Sequence, residues 1–121
     1  MIKTLQWIVR IAWVIAVLLG LSFWTGRALA PVSVHMTFGG LVALSLAILS
    51  ILAMTHRVRP PVAAIALLWA IATVVVGTVQ DWWVGAGSHV LIEVVHLVLG
   101  VGAIGLAEML AAGLRRSSAA A

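Results

Sequence analysis

Four apolar stretches, 6–24, 31–54, 61–79 and 88–114, take up most of the 121 residues. Each is long enough to cross the roughly 30 Å hydrocarbon core of a bilayer as a helix. Hydrophobic residues make up 64% of the chain and charged ones 8%, where soluble domains carry roughly a quarter charged residues. No segment is left over for a soluble domain. The expected fold is all-α, a single integral-membrane bundle of four transmembrane helices over 1–121. Pro31 and Pro61 suit first-turn positions, where a missing N–H costs nothing, and Thr25, Gly26 and Arg27 read as a turn. Ala28-Leu29-Ala30 looks like a signal-peptidase site, but Pro31 after it makes a poor one, so the first stretch is read as a retained helix. The closing Ser-Ser-Ala-Ala-Ala reads as a frayed tail.

Positive charge orients the spans. Lys3 precedes the first, Arg57 and Arg59 separate the second and third, and Arg115 and Arg116 follow the fourth. Both termini are therefore expected in the cytoplasm of a prokaryote, with the protein in its plasma (inner) membrane. The opposite loops hold Arg27, Asp81, Trp82 and Trp83, and Trp24 suits the same interfacial belt. The net charge of +4 thus encodes orientation and contact with the lipid bilayer, and no nucleic-acid partner is implied.

The order of spans makes two helical hairpins, both starting from the cytoplasm, and some residues recur between them as a parallel pseudo-repeat. Val34-His35 followed by Gly39 returns as Val95-His96 followed by Gly100. Trp13 and Ala16 match Trp69 and Ala72, while Gly20 and Gly77 correspond once one residue is inserted. In a parallel repeat the second and fourth helices run the same way, so His35 and His96 start at similar depths and can face each other.

Ionisable groups at membrane depth are costly and are functional candidates by default. Here they are Arg10, His35, His89, Glu93, His96 and Glu108, whereas His56 falls in a solvated loop. At about 100° per residue, His89, Glu93, His96, Gly100, Ala103 and Ala107 share one helix face, and His35, Gly39, Val42 and Leu46 share another. Each face has a histidine near its outer third and a glycine one turn deeper. A haem between helices needs an axial imidazole from each side and a residue without a side chain where the porphyrin meets backbone. His35 and His96 supply the pair, Gly39 and Gly100 the space, and the adjacent Gly40 widens it.

The chain has no cysteine, which removes thiolate metal sites, iron–sulfur clusters and covalent haem attachment together. Three intramembrane histidines cannot furnish two bis-histidine sites, so a single haem b near the outer leaflet is the economical count. The spare His89 lies about 10 Å before His96 on the same face. It is a propionate contact, a proton carrier, or the axial ligand in place of His96. Arg27, Thr25, Ser88 and the Trp82 indole are candidate propionate partners, and Phe38 and Trp24 candidate macrocycle contacts. Glu93 is placed to hold an imidazole tautomer or relay protons. Glu108 and Arg10 fall at similar depth and suit a structural ion pair, and Asp81 suits Arg27 likewise.

Nothing in the sequence points to hydrolytic or phosphoryl chemistry, since GxSxG, HExxH and phosphate-binding glycine loops are all missing. Two other classes of reading stay open. Histidines and glycines also knit transmembrane helices together, which would suit a non-haem scaffold or accessory subunit. His89, Glu93 and His96 on one face, with His35 opposite, also suit a bare metal site or a metal-ion or proton pathway. The small residues below Gly100 suit an oligomer contact.

With four spans and the His35 and His96 segments, the chain resembles the small four-helix membrane b-type cytochromes, the broad group of bacterial cytochrome b561-like proteins and superoxide oxidase. The resemblance implies non-covalent haem b held by His35 and His96, with electrons passed to or from quinone, a small oxidant or another redox protein. Any enzymatic activity would be that of a haem-dependent membrane oxidoreductase. The group commonly carries two histidine pairs. This chain has one pair plus His89.

Overall fold

The computed structural model describes residues 1–83 and 89–120, without the side chains of residues 80–83, 89 and 120. It is all-α, with helices α1 (Ile2–Trp24), α2 (Val32–Thr55), α3 (Pro60–Trp83) and α4 (His89–Ala120). All four are long and apolar enough to cross a membrane. Large apolar side chains such as Leu18, Leu44, Leu68 and Val98, one from each helix, are more than half exposed. Such an outer surface suits lipid rather than water, and the chain is a multi-pass membrane protein.

Three elements run longer than the sequence suggests, α1 at its start, which is Ile2 and not residue 6, and α3 and α4 at their ends. α3 continues through Asp81, Trp82 and Trp83, which were expected in a loop, because no glycine or proline follows Gly77 before Gly85. α4 continues through Ala119 and Ala120 rather than fraying, since good helix formers follow Gly113 and the Ser118 hydroxyl donates to the Leu114 carbonyl at 3.0 Å. α1 closes at Thr25 with a Gly26 at φ 70°, where Gly26 N–H donates to Phe23 O and Arg27 N–H to Ser22 O. That is the Schellman pattern, for which glycine is the favoured residue. α2 closes the same way at Arg57 and Val58, with Arg57 at φ 54°.

Among the described residues, every pair of helices is in contact save α1 and α3. α2 and α4 therefore form the short diagonal of the bundle. The buried core is largely alanine, with Ala63, Ala66 and Ala70 of α3 and Ala103, Ala107 and Ala111 of α4 in one cluster. Leu46 and Leu49 of α2 and Leu110 of α4 fill the centre. Small side chains let backbones approach closely, the usual basis of helix association where lipid removes the hydrophobic drive.

At the end that holds both termini, α1 and α4 are tied by a polar network. Arg10 donates through Nε to Glu108 Oε1 at 2.6 Å and through Nη2 to Oε2 at 2.9 Å, so the expected ion pair forms and is bidentate. Gln6, buried on α1, extends it by donating to Glu108 and accepting from Arg115. Glu108 is thus the one carboxylate among two guanidinium groups. Glu108→Gln is expected to lower the melting temperature in detergent, and the double variant Arg10→Gln/Glu108→Gln to recover part of the loss, because an unpaired charge costs more than a removed pair. Thermal unfolding followed by circular dichroism checks the order.

Candidate functional site

At the opposite end of the bundle, α1 and α3 are finishing where α2 and α4 begin, and His35 and His96 meet. His35 is the fourth residue of α2 and His96 the eighth of α4. Both helices run in the same direction along the short diagonal, so the two rings turn toward each other. Their centroids lie 6.1 Å apart with planes inclined by 62°.

Each ring rests on a glycine of the preceding helix. A Cβ at Gly20 of α1 would lie 3.3 Å from His35 Cε1, and a Cβ at Gly77 of α3 would lie 2.8 Å from His96 Cε1. These close approaches are the reason for glycine at both positions. The sequence correspondence of Gly20 and Gly77 carried a hint of this, but not their role as seats for the histidines. Phe23 stacks edge-on against His35, centroids 5.8 Å apart.

The backbone environment of the two rings differs. His35 Nδ1 lies 2.9 Å from the Ala16 carbonyl oxygen. A carbonyl only accepts, so Nδ1 carries the proton and Nε2 presents its lone pair. His96 Nδ1 is buried with no hydrogen-bond partner among the described residues. Ala16 stands four residues before Gly20. Four residues before Gly77 stands Thr73, whose own hydroxyl donates to Trp69 O at 2.8 Å.

Two cavities flank the histidine pair, of about 220 and 230 Å³, and both are lined by His35, His96, Val17 and Leu97. The first extends toward the middle of the bundle along Gly39, Gly40, Gly77 and Gly100. A Cβ at Gly39 or Gly40 would meet nothing within 4 Å, so these two glycines border open space. The second cavity lies toward the α1–α2 connection and is lined by Phe23, Trp24 and Glu93.

Trp13 lines the first cavity, and Trp69 lies outside both cavities, packed against the core. Trp13 Nε1 donates to Gly100 O and Trp69 Nε1 to Leu99 O, both at 2.8 Å. The two indoles come from α1 and α3 and grip consecutive carbonyls of α4 one turn below His96. An indole N–H in mid-span must find an acceptor, which marks both tryptophans as polar anchors even before their partner is known. Gly100 accordingly serves twice, lining the cavity and accepting from Trp13.

Several other candidates fall elsewhere. Arg27 is exposed and lines neither cavity, and Phe38 packs against the apolar core while Phe23 takes the place beside the imidazole. Thr25 donates to Ser22 O within its own turn. Among the described residues no group of three or more His, Cys, Asp or Glu is placed to hold a metal ion, so His35, Glu93 and His96 do not by themselves make a bare-metal cage. The side chains of His89, Asp81 and Trp82, and all of Ser88, lie outside the described residues.

No family model, curated protein or solved structure matches the chain. What the site can do is read from its own geometry.

Proposed function

We propose that this chain is a membrane b-type haem protein that carries single electrons, with one haem b between His35 and His96. The observation that carries the reading is the 6.1 Å separation of the two ring centroids. A bond from imidazole nitrogen to a transition metal is about 2 Å long, as for zinc. Allowing about 1 Å from each nitrogen to its ring centre, two imidazoles opposed across one metal have centroids about 6 Å apart. Three further features support it. The Ala16 carbonyl sets the His35 tautomer that leaves Nε2 for a metal. Cavities lie on both sides of the pair. Gly39 and Gly40 leave space where a planar group would meet the α2 backbone.

A haem held there by two histidines would supply one-electron redox chemistry. The chain's own part is to hold and insulate. His35 and His96 would hold the haem through imidazole nitrogens, Gly20 and Gly77 let the rings approach the neighbouring helices, and Trp13 and Trp69 fix α4 beneath His96. Val17, Val42, Val74 and Leu97 keep the surroundings apolar. Glu93 and Trp24 line the second cavity and would meet polar substituents that enter it.

In this reading the two hairpins are a parallel pseudo-repeat, with both termini cytoplasmic and the histidine end toward the outer leaflet of a prokaryotic plasma membrane. The electron partner is quinone or a second redox protein. The test is the visible spectrum of detergent-purified protein made with ample haem supply, oxidised and dithionite-reduced, beside His35→Ala/His96→Ala. A low-spin b-type spectrum is expected in the wild type and none in the double variant. A colourless wild type that takes up no added haemin would overturn the proposal and leave a scaffold of knitted helices.

A further inference from the structure

We propose, resting on the haem reading above, that the two histidines are unequal ligands: His35 is fixed and His96 is displaceable, so the site admits a small uncharged diatomic ligand on the His96 side. The inequality is visible in what holds each ring. His35 is tied through Nδ1 to the Ala16 carbonyl at 2.9 Å and braced edge-on by Phe23. His96 has a buried Nδ1 with no hydrogen-bond partner among the described residues. Trp13 and Trp69 anchor the α4 backbone at Gly100 and Leu99, not the imidazole itself.

A carbonyl on the far nitrogen does two things for a ligating imidazole. It holds the proton on Nδ1, so that Nε2 always offers its lone pair, and it raises the basicity of that lone pair. His96 lacks both. Nothing then holds the proton on Nδ1, and the tautomer protonated on Nε2 offers no lone pair at that nitrogen. Loss of such a partner typically lowers metal affinity about 10- to 100-fold, which sets the size of the asymmetry.

The seat of the ring does not brace it either, since Gly77 has no side chain and a Cβ there would lie 2.8 Å from Cε1. The lining beside His96, with Val17, Val74 and Leu97, is largely apolar, which favours a small uncharged ligand over an anion. In the exchange one iron–imidazole bond breaks, one bond from iron to the incoming ligand forms, and His96 leaves as neutral imidazole. No electron or proton is transferred.

Carbon monoxide is the probe. Dithionite-reduced, haem-loaded wild type is expected to give a carbon monoxide difference spectrum at equilibrium. His96→Ala is expected to keep its haem, turn high-spin in the ferric state and bind carbon monoxide more tightly than wild type, because no imidazole has to be displaced. His35→Ala is expected to lose haem. Helicity and monodisperse elution in detergent establish that each variant is folded, and the wild-type titration needs no variant. Haem-loaded wild type that forms no carbon monoxide adduct, or folded His35→Ala that keeps haem as well as His96→Ala, overturns the inequality while leaving the bis-histidine reading intact. Failure of the wild type to take up haem overturns both.

Discussion

Gly102→Ala is expected to destabilise the bundle by about 2–4 kcal/mol, whereas Gly105→Ala on the same helix changes it by less than about 1 kcal/mol. A Cβ at residue 102 would sit 2.5, 2.6 and 2.7 Å from Cζ2, Cε2 and Nε1 of Trp69, and a Cβ at residue 105 would meet nothing within 4 Å. The Trp69 ring cannot simply retreat, because its N–H is bonded to Leu99 O at 2.8 Å and it packs against the buried core. Displacing a packed side chain costs about 1–3 kcal/mol. The lost hydrogen bond adds about 1 kcal/mol, with no water in the hydrocarbon region to replace it. Thermal unfolding in detergent measures the difference. In a Trp69→Ala background the Gly102→Ala penalty is expected to vanish, which a double-mutant cycle reads directly. An equal penalty in both backgrounds would mean that the indole is not what Gly102 accommodates.

Much of this fold is legible in the sequence, and what is not legible shares one physical cause. Apolar runs of bilayer length define α1 to α4 without reference to anything outside the run. Their ends are harder to place. Trp82 and Trp83 were read as interfacial loop residues, but the preference of tryptophan for an interface carries no statement about backbone conformation, and α3 runs through both. The facing of His35 and His96 was readable because both stand one turn before a glycine on helices expected to run the same way. The Arg10–Glu108 pair was readable because a charge at membrane depth has few partners. By contrast, the Ala16 carbonyl, the Gly20 and Gly77 seats and the Trp13–Gly100 and Trp69–Leu99 bonds depend on axial shift and rotation between neighbouring helices. Periodicity within one helix says nothing about either. Gln6 and Arg115 joined the Glu108 network unannounced for the same reason.

The same inter-helix register makes Gly77→Ala the sharpest single perturbation of the candidate site. It is expected to turn haem-loaded protein partly high-spin and to raise its apparent carbon monoxide affinity roughly 5- to 150-fold, the equivalent of about 1–3 kcal/mol of overpacking. The new methyl would lie 2.8 Å from His96 Cε1 and 3.5 Å from both ring nitrogens. A free imidazole can swing away into the adjoining cavity, so the haem-free protein should lose little stability. An imidazole held by iron cannot swing, and the crowding is then felt at the metal bond. Gly20→Ala is the matched control, since its Cβ would lie 3.3 Å from His35 Cε1, a squeeze that a few tenths of an ångström relieve. His35 is also kept in place by Ala16. Spin state and carbon monoxide titration of the two variants, set beside the melting temperatures of their haem-free forms, separate crowding at a ligand from crowding at a packed side chain. A Gly77→Ala protein that melts far lower without haem, yet stays low-spin with it, would make His96 a packing residue rather than the weaker of two ligands.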